Sequence, residues 1–231
     1  MKLFFLKKCK APSVVYFTYL QTKIRNIFFR NRIKYEKRKH KEFLKDKNIT
    51  HDFFSSNAFN FLDILNRLKN NFNYLEIGSF EGNSAMFIAN KFPNSKINCV
   101  DTWKKTEEYD HDMDFSVIER NFDKNVSKLK NIKKYKNDSN SFFENNIDYF
   151  QVIYVDGYHY GPQVYKDVKN SWKFLMMDGY LICDDYIWNI SEKMDLTPCF
   201  AINKFLKEIK YCYKIELISN SQIFLKKIRE N

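Results

Sequence analysis

From about residue 51 onward, short apolar segments alternate with amphipathic ones, and this alternation constrains the fold more than any other feature of the sequence. The apolar segments have strand length, whereas the intervening segments carry apolar residues at helical spacing. The predicted strands are NYLEIG, KINCVD, residues 132–136, FQVIYVDG, GYLICDD, YKIELIS and QIFLKKI. The predicted helices cover residues 83–92, 116–129, 141–146, 161–177 and 200–210. Strands that alternate with helices predict a parallel sheet with crossover helices on its faces.

The last two predicted strands form an exception to the alternation. Only Asn220 and Ser221 separate them, so we expect an antiparallel hairpin. Such a pair fits the edge of an otherwise parallel sheet. The sequence therefore predicts an α/β fold with a doubly wound, mostly parallel seven-stranded sheet that ends in an antiparallel edge hairpin.

The positive charge of the chain is concentrated near its beginning. The formal net charge is +11, but residues 1–50 contain 15 Lys and Arg against 3 Asp and Glu, and residues 51–231 contain 24 against 25. We therefore predict a basic N-terminal helical arm over 1–50 and a separate domain over 51–231. A near-neutral domain lacks the basic face that a nucleic-acid substrate needs, which disfavours nucleic acid as a partner.

Within the arm, apolar residues recur at helical spacing beside basic ones, as in a basic amphipathic helix. The apolar positions are Phe17, Leu20, Ile24, Ile27 and Phe28, and the basic ones are Lys23, Arg25 and Arg30. Such a helix either packs on its own domain or contacts an anionic membrane surface or a partner, and the pattern does not separate these cases. The uncharged run over 11–22 is too short to span a bilayer.

The cysteines indicate a reducing compartment. They are five, widely spaced, and show neither a C-x-x-C pair nor zinc spacing: Cys9, Cys99, Cys183, Cys199 and Cys212. Since no convincing signal peptide is present either, we expect a cytoplasmic protein that can associate peripherally with a membrane. The sequence leaves its oligomeric state open.

The segment LEIGSFEGNSAMFIA is the first candidate site. It places Glu76, Gly78, Gly82 and Ser84 where a strand turns into a helix, and glycines there allow a ligand to approach the backbone. The spacing is G-x-x-x-G, with Phe80 where a dinucleotide fingerprint has its middle glycine. Asp101 ends the next strand, where a carboxylate can accept the hydroxyls of a ribose.

These segments resemble known methyltransferases. The pattern E-x-G-x-[aromatic]-x-G-x-S is similar to the cofactor motif of catechol-type O-methyltransferases, and CVDTW resembles the second motif of a bacterial and viral family linked to glycan modification. In that family IYVDGYHY and LMMDGYLICDDY form the third signature, so the resemblance covers roughly residues 55–228. It implies a class I S-adenosylmethionine-dependent methyltransferase with the methyltransferase variant of the Rossmann fold.

The resemblance also implies which residues bind S-adenosylmethionine. The methionine part of the cofactor would lie along Glu76, Gly78, Ser79 and Gly82. Asp101 would hold the ribose, and Asp138 and Ser139 would flank the adenine. The remaining expected contacts are Phe80, Ser84, Thr102, Trp103 and Asp156. Asp178 departs from the pattern, since relatives usually have Pro or Gly there, but this position shapes a turn.

Three carboxylates form a second candidate site. Asp156 follows the fourth predicted strand, and Asp184 and Asp185 follow the fifth, so all three should meet at the ligand crevice. A hard divalent cation relieves their repulsion, and ligation by oxygen alone favours Mg²⁺, Ca²⁺ or Mn²⁺. In the catechol-type and macrolide-sugar enzymes that the pattern resembles, acids at these positions bind such a metal. The alternative is that the DDY segment only ends a strand.

His159 is the candidate general base. It follows Asp156 by three residues, the spacing at which some metal-dependent sugar methyltransferases place a base. The alternative is a loop imidazole bonded to the backbone. The segment TWKKTEEYDHDMDF, with Asp110, His111 and Asp112, should cover the substrate as a polar loop rather than bind a metal.

Together, these patterns predict a methyltransferase that transfers a methyl group to a hydroxyl of a sugar, glycan or other small molecule, assisted by a divalent cation such as Mg²⁺. Two other functions stay open. An NAD-type oxidoreductase would show a tighter glycine fingerprint and leave the two adjacent aspartates unexplained. An RNA methyltransferase would use the basic arm. N-methylation is an alternative within the class, although it rarely needs a metal.

Overall fold

A computed structural model describes residues 2–69, 71–106, 113–188, 191 and 193–230. Its centre is a seven-stranded sheet of order β3-β2-β1-β4-β5-β7-β6. The strands are β1 Asn73–Ile77, β2 Lys96–Asp101, β3 Ile132–Lys136, β4 Phe150–Val155, β5 Leu175–Cys183, β6 Tyr213–Ser219 and β7 Gln222–Lys227. β1 to β5 pair in parallel, whereas β7 pairs antiparallel with both β5 and β6. The predicted fold class is confirmed.

Helices cover both faces of this sheet. They are α1 Lys2–Lys8, α2 Ser13–Phe28, α3 Arg30–Leu44, α4 Ala58–Leu65, α5 Asn83–Lys91, α6 Phe115–Val126, α7 Ser139–Asn145, α8 Gly161–Phe174 and α9 Pro198–Glu208. Alternate residues of a strand enter different cores because their side chains point to opposite faces. In β4, Ile153 and Val155 join the cluster with α1, α2, α7, α8 and α9, whereas Val152 and Tyr154 join the cluster with α4, α5 and α6.

The boundary between α8 and β5 differs from the prediction. The sequence predicts a helix to residue 177, but α8 ends at Phe174 and β5 begins at Leu175, which pairs with Phe150. Pairing of β5 with β4 therefore determines the structure of residues 175–177, although their apolar spacing predicts a helix. Asp178 adopts a left-handed conformation with φ 61°, and its carboxylate forms a 2.7 Å ion pair with Lys226. In place of the expected turn, β5 thus continues through Asp178 as an irregular strand, and the pairing register with β4 shifts here, between Phe150 and Val152.

The arm packs on the domain along α1, the inner side of α2 and the end of α3. Phe5, Leu6, Val15 and Tyr19 are buried in the cluster that contains α8 and α9. The backbone N–H of Ile218 in β6 donates to Thr22 Oγ1 over 3.1 Å. The change in charge near residue 50 therefore does not coincide with a boundary in packing, and the division of the chain there stays a prediction.

The predicted apolar stripe of the arm lies on the opposite side of α2 and is exposed. Its members are Phe17, Leu20, Ile24, Ile27 and Phe28. One face of α2 thus packs on the domain, as the first alternative expects. The other face is exposed to solvent, where a membrane surface or a partner could contact it. Among the described residues, every helix is too short or too polar to cross a membrane.

Candidate active site

A cavity of about 800 Å³ opens at the carboxyl ends of the parallel strands. This is the edge at which doubly wound sheets bind ligands. Ten of the predicted site residues line it: Gly78, Phe80, Asp101, Thr102, Asp138, Ser139, Asp156, His159, Asp184 and Asp185. The other five lie beside the cavity and do not line it: Glu76, Ser79, Gly82, Ser84 and Trp103. These five could therefore affect cofactor binding only by positioning the residues that line the cavity.

The glycine turn follows β1 and has a packing requirement that the sequence does not reveal. Gly78 has φ 87°, and a Cβ atom there would lie 2.0 Å from the backbone oxygen of Asp156. Gly82 has φ 80°, and its Cβ would lie 3.0 Å from the ring of Phe122. Residue 78 must therefore be glycine to let the ends of β1 and β4 approach each other, whatever space a ligand needs.

Asp101 braces this turn. Its Oδ2 accepts hydrogen bonds from the backbone N–H groups of Ser79 and Phe80 over 3.0 and 2.9 Å, and its Oδ1 accepts one from Trp103 over 2.7 Å. Burial raises the pKa of Asp101, and these N–H donors oppose the rise. Asp101 also lines the cavity, so a ligand there can reach its carboxyl group.

Glu76 lies behind the turn and is fully buried. Its Oε2 accepts a 2.9 Å hydrogen bond from the hydroxyl of Tyr74, whereas Oε1 has no hydrogen-bond partner among the described residues. Burial raises the pKa of Glu76 to about 7, although the nearby hydroxyls of Tyr74, Ser84 and Ser79 oppose the rise. The pKa of this carboxyl group therefore lies near neutral pH, well above the range of an exposed glutamate.

A second wall of the cavity comes from α7 and α8. Asp138 caps α7 by accepting a 2.9 Å hydrogen bond from the N–H of Ser141, which helps to lower the pKa of Asp138. The hydroxyl of Ser139 donates to Asp167 Oδ1 over 2.6 Å, and Gln163 Nε2 donates to the same oxygen over 2.9 Å. Burial raises the pKa of Asp167 to about 6.

Sequence reasoning missed Gln163 and Asp167, although both line the cavity. Their four-residue spacing places them on the same face of α8, next to the buried positions Val164 and Val168. A polar pair within an apolar face is the signal that could have identified them.

Three side-chain atoms that could bind a metal ion lie close together at the ends of β4 and β5. His159 Nε2 lies 2.9 Å from Asp185 Oδ2 and 3.5 Å from Asp156 Oδ1, and all three atoms lie within 4.8 Å of one another. Burial and the negative charge of Asp184 raise the pKa of Asp156 well above its usual range, and His159 opposes the rise. Asp185 occupies a left-handed conformation with φ 51°, which the surrounding structure must stabilise.

Asp184 points away from this group. Its Oδ2 accepts a 2.6 Å hydrogen bond from Gln222 Nε2 and contacts the hydroxyl of Tyr154, and its Oδ1 accepts from the N–H of Asp185. Burial and repulsion by Asp185 raise its pKa to about 6. The three predicted carboxylates thus share one end of the sheet, but His159, rather than Asp184, completes the converging set.

Tyr154 and Gln222 were also missed from the sequence. The hydroxyl of Tyr154 lies 2.8 Å from Asp156 Oδ2 and also contacts Asp184, so the phenol connects the two carboxyl groups. A phenol has one proton, so it donates to one of the two carboxyl groups and accepts a hydrogen bond from the other, which must then be protonated. This agrees with the raised pKa values of Asp156 and Asp184. Asp156 directly follows β4 and lies two residues after Tyr154, a spacing that could have indicated a shared face. Nothing in the sequence indicates Gln222.

Aromatic rings form much of the remaining wall. Trp188 lies edge-on to the ring of His159, with 5.3 Å between centroids. Phe80 lies 5.8 Å from Phe53 and 6.5 Å from Phe115. Such rings suit a ligand with a flat or apolar surface. Asp110, His111 and Asp112 of the expected covering loop lie outside the described residues.

Residues 75–186 match a family model that is described as a methyltransferase domain. An uncharacterized protein of Acanthamoeba polyphaga mimivirus is 29% identical over 196 residues, with 75% of this chain and 81% of that protein covered.

Solved structures share the fold. A candidate caffeoyl-CoA O-methyltransferase from Staphylococcus aureus superposes with a TM-score of 0.56 at 16% identity, covering 90% of this chain and 99% of the other. A candidate O-methyltransferase from Klebsiella pneumoniae gives 0.55 at 10% identity, with 94% and 99% covered. MycE, a methyltransferase of mycinamycin biosynthesis in complex with Mg, SAH and mycinamycin VI, gives 0.57 at 14% identity, with 78% and 51% covered.

Proposed function

From the premise that this chain is a class I S-adenosylmethionine-dependent methyltransferase, we propose that it methylates a hydroxyl group of a sugar or other small molecule with the help of a divalent cation. The observation that supports this proposal is the convergence of Asp156, His159 and Asp185 in the cavity that the glycine turn also borders. A base and two acids at the cofactor crevice suit transfer to a hydroxyl, which must lose its proton.

The residues around the glycine turn fit the proposed cofactor. Asp101 lines the cavity with a carboxyl group that can accept a hydrogen bond from a ribose hydroxyl, and Glu76 lies behind the turn, where it can act only through the residues that line the cavity. We assign the methionine part of the cofactor to the wall at Gly78 and Phe80, and the adenine to the wall at Asp138 and Ser139. S-adenosylmethionine would supply an electrophilic methyl group in this cavity.

The acidic end of the cavity fits a divalent cation. Asp156 and Asp185 would hold it, because their carboxylate oxygens already face one centre, and hard cations prefer oxygen ligands. Asp184, the third predicted ligand, would join them only by leaving its hydrogen bonds to Gln222 and Tyr154. A cation there would lower the pKa of an acceptor hydroxyl.

His159 would accept the proton of that hydroxyl at Nε2. The carboxylates of Asp156 and Asp185 lie within 3.5 Å of this nitrogen and would stabilise the resulting imidazolium. Trp188 limits the position of the imidazole ring by contacting its edge. The complex of MycE with Mg and mycinamycin VI supports a small-molecule acceptor and a metal for this proposal.

The proposal is tested by titration and then by activity. Calorimetry should show that S-adenosylmethionine binds the parent protein and that Asp101→Ala weakens it, with Asp123→Ala on the exposed side of α6 as the matched control. Mn²⁺ titration should show weaker binding to Asp185→Asn. With an acceptor found by screening hydroxyl compounds with labelled cofactor, His159→Ala should lower kcat about 10²- to 10⁴-fold while cofactor affinity stays the same.

Three results would contradict it. Binding of NADH but not of S-adenosylmethionine would remove the premise. Full activity after exhaustive chelation would exclude the role of the cation. Unchanged kcat in His159→Ala, across the pH range where imidazole titrates, would exclude this residue as the base.

A further inference from the structure

Helix α2 carries apolar residues on two opposite faces. The inward face packs on the domain through Val15 and Tyr19, with Thr22 bonded to the edge strand β6. The outward face contains Phe17, Leu20, Ile24, Ile27 and Phe28, which are 51–81% exposed. These five positions recur at three- and four-residue intervals and form one stripe along the helix. We call this stripe the outer face of α2.

The exposure of the outer face is unusual for a protein surface. Large apolar residues that are exposed together mark sites of interaction, whereas isolated ones need no explanation. Leu3 and Phe4 of the preceding helix α1 and Val14 at the start of α2 are exposed as well. The stripe spans eleven residue steps, which correspond to about 16 Å along a helix. The exposed apolar surface therefore extends over about three turns of the helix, which is long enough to contact a partner along α2.

The charge around the outer face selects the partner. Residues 1–35 contain nine Lys and Arg and no Asp or Glu. Arg25 forms a salt bridge with Asp63, and it is the one member of the nine that pairs with a described acidic residue. The others include Lys7, Lys8 and Lys23, which are exposed. A partner must therefore have an apolar layer that can bury these side chains and a negatively charged surface that can bind the basic residues.

We propose that the outer face of α2 docks this protein on the surface of an anionic lipid bilayer. An amphipathic helix lying in the interface buries its apolar stripe among the acyl chains while the flanking cations contact anionic headgroups. A second copy of this chain is disfavoured, because a symmetric contact through this face would set the nine cations of each copy against those of the other. The partner is thus a lipid surface.

Docking there would hold the cavity close to the membrane. Asn26 Nδ2, near the end of α2, donates to Ser219 Oγ over 3.0 Å. The next two residues, Asn220 and Ser221, line the candidate active site. The edge of the cavity is therefore connected to α2 by the hydrogen bond between Asn26 and Ser219 and by the peptide bond between Ser219 and Asn220.

Co-sedimentation of the full chain with lipid vesicles tests the proposal. Phosphatidylcholine vesicles that contain phosphatidylserine should bind the protein, vesicles of phosphatidylcholine alone should bind it much less, and added salt should weaken the binding. The double variant Ile27→Ser, Phe28→Ser should lose at least about tenfold in affinity, because it removes the two most exposed members of the stripe.

The double variant Ile147→Ser, Tyr211→Ser is the matched control. These side chains are 87% and 69% exposed but lie outside the arm, so their loss should leave vesicle binding unchanged. Both double variants should melt at the temperature of the parent and bind S-adenosylmethionine equally, because the mutated side chains face solvent.

Four outcomes would overturn the proposal. They are absent binding to the anionic vesicles, equal binding to neutral vesicles, and equal loss in the two double variants. The fourth is a dimer in sedimentation velocity that the Ile27→Ser, Phe28→Ser variant abolishes, since this would assign the outer face to a second copy. None of these results depends on methyltransferase activity.

Discussion

Glu76 and Asp167 show how single residues at this site respond to burial. Both carboxyl groups are almost completely inaccessible to solvent, and burial raises the pKa of each, to about 7 and about 6. Burial favours the neutral form of an acid, and in Asp167 it outweighs the opposing hydrogen bonds of Ser139 and Gln163 and the charge of Lys166. Whether Glu76 and Asp167 carry a proton is therefore set by where the fold buries them and not by their residue type.

The raised pKa of Glu76 predicts a particular dependence of stability on pH. Between its ordinary value of 4.5 and about 7, the folded protein binds a proton that the unfolded chain releases. The free energy of unfolding should therefore fall as pH rises through this window, by about 3 kcal/mol from this group. In Glu76→Gln, denaturant titrations at a series of pH values should show a correspondingly smaller fall.

The exposed substitution Glu144→Gln serves as the control and should follow the parent. If Glu76→Gln and the parent lose the same free energy of unfolding over the window, the carboxyl group of Glu76 titrates normally and the reading of this residue is wrong.

At the scale of elements, the edge hairpin β6–β7 contributes directly to the site. β7 lies beside β5, and its first residue, Gln222, is fully buried and donates to Asp184 Oδ2. The antiparallel insertion thus brings an amide from near the end of the chain to the acids that follow β4 and β5. A residue that orients a neighbouring acid can affect a metal site without touching the metal.

Gln222→Leu should therefore weaken Mn²⁺ binding about 10- to 100-fold, the usual effect of losing a supporting hydrogen bond. Titration calorimetry or electron paramagnetic resonance would measure it. Gln163→Leu is the control, since it removes an amide donor from Asp167, which is outside the converging set. Equal Mn²⁺ affinity in the parent and Gln222→Leu would contradict a supporting role of β7.

At the scale of the whole molecule, the arm belongs to the packed structure. Leu6 and Cys9 are completely buried, and the backbone oxygen of Cys9 accepts a 3.1 Å hydrogen bond from Asn203 in α9. Charge alone would suggest that residues 1–50 can be removed without harm to the domain. The shared core leads us to expect the opposite.

Removal of residues 1–12 should lower the free energy of unfolding by about 3 to 6 kcal/mol, because the core then lacks two large buried apolar side chains, Phe5 and Leu6. Thermal and denaturant unfolding would measure the loss. Lys7→Gln, Lys8→Gln removes charge but keeps α1, so it should unfold like the parent. A truncated chain with the parent's melting temperature would show that α1 contributes little to the core.

The sequence by itself determined the seven strands in their chain order, the five helices that it predicts between residues 83 and 210, the edge hairpin, and ten of the residues that line the cavity. Those features depend on local periodicity and on the rule that parallel strands end at one edge, as with KINCVD, which is β2 at the predicted bounds. Tertiary structure decided the rest. Gln222 reaches Asp184 across 38 residues, His159 replaces Asp184 in the converging set, and α1 enters the core. Each of these outcomes depends on contacts between segments distant in sequence, which spacing along the chain cannot encode.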